Sequence, residues 1–62
     1  MVADFLEEMA RTMKDRDLIR ATLAIDPKDQ ERKHKAEAYI RELGRRDIRL
    51  SMEVYELWKE RG

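Results

Sequence analysis

Few residues in this chain have the type and spacing to do chemistry. His34 is the only histidine, and "ERKH" places Glu31 three residues before it. On a helix that spacing sends both side chains toward one side, as in the carboxylate-bridged di-iron bundles. A complete site would need further carboxylates from facing helices, such as Glu7 or Glu8 supplied by a second copy. Arg32, Lys33 and Lys35 crowd the same turn, and no apolar side chain walls it off. A solvated polar turn is therefore the expectation, with Glu31 and His34 as weak metal candidates only. The hydroxyl groups are those of Thr12, Thr22 and Ser51, with Tyr39 and Tyr55, and there is no Gly-rich phosphate loop. With no cysteine in the sequence, disulfides and Cys-type zinc or iron–sulfur sites are excluded. The expectation is a non-catalytic chain without a cofactor.

A second cluster, Arg45, Arg46 and Arg49, could contact phosphate. In "EAYIRELGRRDIRLSMEVYELWKE" a helix, a glycine at a turn and a second helix opening at Ser51 give a helix-turn-helix-like pattern with these arginines flanking it. Glu53, Glu56 and Glu60 on the second helix would repel a phosphate backbone. Within the same stretch, "DIRLSMEVYELWKE" resembles the ribbon-helix-helix DNA-binding family in its short alternating run, Ser cap and following helix. That resemblance covers about fourteen residues and departs from the family by placing the long helical portion before the alternating run. A small DNA-binding regulator is accordingly the alternative reading.

Bulk composition favours neither nucleic acid nor an anionic membrane. The 62 residues hold 14 Lys plus Arg and 14 Asp plus Glu, for a formal net charge of zero. The regional imbalance is small. Residues 1–27 carry four basic and six acidic side chains, 28–49 eight and five, and 50–62 two and three. Hydrophobic residues make up 42% and are spread along the chain, which argues against a disordered tail. No apolar run approaches membrane-span length, and the first residues carry acids early and lack a signal-like apolar stretch. A soluble cytoplasmic protein is expected.

The elements that would position these residues follow from periodicity. Val2, Phe5, Leu6, Met9 and Met13 fall on one helical face, and Leu18, Ile19, Thr22, Leu23 and Ile25 fall on another. On one straight helix the two stripes would lie about 145° apart. Either the chain breaks at "KDRD", or a continuous helix near 3–24 meets two partners. With no Gly or Pro in that run, the continuous helix is preferred. Asp26 followed by Pro27 marks an N-cap and first helical position, predicting a second helix over 27–43. Gly44 is placed to take the left-handed position after it. A third helix is predicted near 48–60, starting at Asp47 or, after an extended link, at Ser51.

These features predict an all-α, single small domain of three helices over residues 1–62. So short a chain buries only about 60% of the surface its unfolded form exposes, and its apolar residues lie on divergent faces. Its core is therefore expected to be completed in a homo-oligomeric helical bundle. The expected function is protein interaction or assembly, as a regulator or adaptor, with a heterologous protein partner also open. Phe5, Met9, Met13, Leu18, Leu23, Leu57 and Trp58 are the residues expected at the interface.

Overall fold

The computed structural model describes residues 2–61, with side chains from Phe5 to Arg61, so the Val2 side chain lies outside the described residues. Among these the chain is all-helical, with four helices rather than three: α1 (Val2–Thr12), α2 (Asp15–Leu23), α3 (Lys33–Arg46) and α4 (Ile48–Arg61).

The extra helix arises because the first segment breaks at "KDRD" instead of running through it. Lys14 is extended, at φ −76° and ψ 157°. The second stripe can then turn Leu18, Thr22 and Ile25 toward the chain's interior, whereas Phe5 and Met9 of the first stripe stay exposed. The end of α1 is tightened by Met13 N–H donating to the Ala10 carbonyl at 3.1 Å and by Thr12 Oγ1 donating to the Met9 carbonyl at 2.8 Å. Asp15 and Asp17 stand in the first turn of α2, where carboxylates suit the positive end of the helix dipole.

The next helix starts later than expected. Asp26 does cap a turn, accepting the Lys28 N–H at 2.9 Å, but the helix does not propagate from Pro27. Asp29 Oδ1 instead accepts the N–H groups of Glu31 and Arg32 at 3.0 and 3.2 Å. Short acidic side chains offer the backbone this alternative to helix, and "KDQERKHK" has no apolar group whose burial would offset it. From Lys33 onward the helix packs: Ala36, Tyr39 and Leu43 are buried, with Ala38 on a neighbouring face.

Gly44 does not end this helix. It has no positive φ, and α3 continues through it to Arg46. Its role is close approach: a Cβ there would lie 3.3 Å from Ser51 Oγ, which donates to the Ile40 carbonyl at 2.9 Å. Alanine in place of glycine ordinarily stabilises a helix interior by about 1 kcal/mol. We expect that gain to be withheld in Gly44→Ala. It should reappear when Gly44→Ala/Ser51→Ala is compared with Ser51→Ala, since the Ser51 Cβ lies at an ordinary 3.6 Å. Urea unfolding of the four proteins measures the coupling, and equal effects in both backgrounds would contradict this account.

A single residue joins α3 to α4. Asp47 N–H donates to the Leu43 carbonyl at 2.7 Å, closing α3. Its Oδ1 accepts the Arg49 and Leu50 N–H groups at 3.1 and 3.3 Å, opening α4. Ile48, Leu50 and Met52 are therefore helical, and Ser51 lies inside the helix rather than capping it.

The helices enclose a core within the single chain, built on Leu18, Ile25, Tyr39, Leu43, Val54 and Trp58 with the small Ala10 and Ala36. Trp58 Nε1 donates to the Ile25 carbonyl at 2.8 Å, pinning α4 to the end of α2. Thr22, fully buried, satisfies its hydroxyl on the Leu18 carbonyl. The radius of gyration is 10.6 Å, which matches the value of about 10.6 Å that compact single domains of this length follow.

Candidate protein-interaction face

The buried face of α4 is set by Ser51, Val54 and Trp58. On a helix those positions occupy one side and leave Ile48, Met52 and Tyr55, spaced i, i+4, i+7, on an adjacent one. The three are 62%, 60% and 41% exposed, an unusual run of large apolar side chains open to water. Lys59 continues the row, its Nζ 5.2 Å from the centre of the Tyr55 ring. Toward α3 the row borders Gly44, beside which Ile48 packs, and a shallow depression shared by Tyr55, Ile40, Glu37 and Arg41.

Beyond the Glu37–Arg41 ridge lies a second depression, a groove of about 600 Å³ between α1 and the first half of α3. Phe5, Leu6 and Ala38 supply its apolar surface, with Glu31, His34 and Arg41 around them. Phe5 is 63% exposed, and Met9 one turn later is also exposed. Among the described side chains of α1 only Ala10 is fully buried; Leu6, and Met13 just after the helix, are half-covered. Polar links replace the missing contact. Arg41 Nη1 meets Glu7 Oε1 at 2.9 Å across an exposed setting, a link of small weight.

Arg46 makes the stronger link. From α3 its guanidinium donates to the Ala10 and Arg11 carbonyls at 3.2 and 3.0 Å, to Asp15 Oδ1 at 2.8 Å and to Glu42 Oε2 at 3.0 Å. It thus caps the last carbonyls of α1, holds the first residue of α2 and spans the break between them. The hydrogen bond with Asp15 raises the Arg46 pKa above its usual value, with partial burial opposing and Glu42 adding to the rise. Arginine's planar fork of donors suits this task.

No family model, curated protein or solved structure matches this chain. The reading of the face therefore rests on its own geometry.

The residues expected at an interface divide into three groups. Phe5, Met9 and Leu57 are exposed. Met13 and Leu23 are half-buried against the core. Leu18 and Trp58, at 0% and 2% exposure, belong to the chain's own core, and so offer no surface to a partner. Leu57 lies nine residues after Ile48, about 180° around α4 from it, so it does not join the Ile48 row. Sequence reasoning missed Ile48, Met52 and Tyr55 as surface residues. Their i, i+4, i+7 spacing was the available signal, hidden by the strand-like alternation of Ile48, Leu50 and Met52.

The candidate phosphate contacts are not brought together as a cluster. Arg45 and Arg49 are exposed, whereas Arg46 is turned into the α1–α2 junction. The one-residue link at Asp47 also removes the turn on which the helix-turn-helix reading depended. Nor do Glu31 and His34 gather a third ligand: among the described residues no group of three or more His, Asp or Glu side chains could hold a metal ion. The hydroxyls of Thr12, Thr22 and Ser51 all donate to backbone carbonyls. Among the described residues, no helix is long and apolar enough to cross a membrane.

Proposed function

We propose that the chain is a non-catalytic protein-interaction or assembly module that acts as a homo-oligomer, in the manner of a small regulator or adaptor. One observation carries this reading. Ile48, Met52 and Tyr55 stand exposed in a row on α4, on a molecule whose charged residues amount to 45% of the sequence. Contiguous exposed apolar groups rimmed by polar ones mark association surfaces, whereas isolated ones do not. Phe5 and Met9 add a smaller apolar area on α1. A net charge of zero lets copies approach without mutual repulsion.

Association that involves only the folded state makes the thermal midpoint depend on protein concentration. The midpoint is expected to rise by about 5 °C or more across a hundredfold concentration range spanning the dissociation constant. A midpoint independent of concentration up to the millimolar range would overturn the reading.

A further inference from the structure

We propose that α4 is the association seam and that its occupant is α4 of a second copy, laid antiparallel across a two-fold axis at Met52. The proposal rests on the association reading above and gives it a geometry.

The first reason is shape. Ile48, Met52 and Tyr55 lie within an arc of about 60° on α4, the width of a helix–helix seam. Met52 is at the middle of the row and 60% exposed. Its flexible thioether suits contact with its own symmetry mate, where the packing must be self-complementary.

Charge supplies the second reason and decides the direction. Arg49 and Glu56 sit within about 20° of each other on the flank of the row that faces away from α3. Both are exposed. Arg49 is three residues before Met52, and Glu56 is four after it. Antiparallel pairing centred on Met52 therefore sets Arg49 of each copy against Glu56 of the other, twice over. Parallel pairing about a two-fold axis would instead put the two charged flanks on opposite sides of the seam, so that Arg49 and Glu56 of the two copies would not pair. Glu53 and Glu60 lie farther round, toward solvent. A foreign helix would need a matching pattern supplied from outside; a second copy carries it already.

The chain has no cysteine, so one substitution installs a clean reporter. Met52→Cys is expected to form a disulfide-linked dimer under mild oxidation, because a two-fold axis brings the two Cβ atoms within bonding range. Leu57→Cys, on the opposite flank of α4, is expected to stay unlinked. Arg49→Glu and Glu56→Arg should each weaken self-association roughly tenfold, as two opposite-charge pairs become like-charge pairs. The double variant Arg49→Glu/Glu56→Arg should restore it.

The seam is overturned, with the association reading intact, if the wild-type chain dimerises while Leu57→Cys links more readily than Met52→Cys. It is likewise overturned if the double charge variant stays as weak as the single ones. A wild-type chain that remains monomeric at every concentration overturns both the seam and the association reading.

Discussion

Replacing Trp58 with alanine lowers the stability of the chain by about 3–5 kcal/mol. That loss rivals the whole margin of a core this small, which rarely supplies more than about 3–5 kcal/mol. The variant is therefore expected to be largely unfolded at 25 °C. The loss has two sources. The indole, 2% exposed, packs in the core between α4 and the end of α2, so its removal leaves a large cavity. Its Nε1 also satisfies the buried Ile25 carbonyl at 2.8 Å. Trp58→Phe separates the two, since it keeps most of the volume and strands the carbonyl. We expect it to cost about 1–3 kcal/mol. Because Trp58 is the only tryptophan, unfolding of the variants is best followed by far-ultraviolet circular dichroism in urea. An unchanged midpoint in Trp58→Ala would contradict the position given to α4.

The second large effect is expected at Arg46, and it is local. Arg46→Met keeps the stem and removes every guanidinium hydrogen bond, so α1 loses its cap and the bridge through Arg46 to Asp15 of α2 is broken. With Ala10 the only fully buried residue that α1 contributes among the described residues, little apolar contact remains to hold the helix. Hydrogen exchange followed residue by residue is expected to show the α1 amides losing protection while α2, α3 and α4 keep theirs. Arg46→Lys should not rescue α1, because one ammonium cannot reach two carbonyls and two carboxylates that lie in different directions. If α1 stays as protected in Arg46→Met as in the wild type, the junction is held by something else.

These two residues also show how far the fold could be read from sequence. The all-α class followed from periodicity, and the end of a helix before Pro27 from the Asp26–Pro27 pair. Those signals are local, carried by residues at most four apart. The start of the last helix was narrowed to Asp47 or Ser51, and the Asp47 side chain capping Arg49 and Leu50 settles it. What escaped was decided by contacts distant in sequence. "KDRD" contains no breaker; the break is bridged by Arg46, more than thirty residues later. Gly44 resembles a helix terminator, but its lack of a side chain is used against Ser51 on the next helix. The late start of α3 had a local cause, the Asp29 cap, masked by the stronger Asp26–Pro27 signal.

The candidate face was legible only in part. Phe5 and Met9 could be marked as apolar beyond what a small core needs, and both are exposed. Leu18 and Trp58 belong to equally apolar stripes yet lie inside, because which side of a stripe meets the core depends on how the helices pack. The Ile48, Met52 and Tyr55 row could be recognised only once α4 was known to begin at Ile48, since the alternating reading placed those side chains differently.

Self-association through exposed apolar surface is the central claim, and sedimentation equilibrium of the wild-type chain tests it most directly. The weight-average mass is expected to climb from that of one chain toward that of two as concentration rises, fitting a single reversible monomer–dimer equilibrium. A mass that stays at one chain up to about 1 mM, the weak limit of specific association, would contradict it.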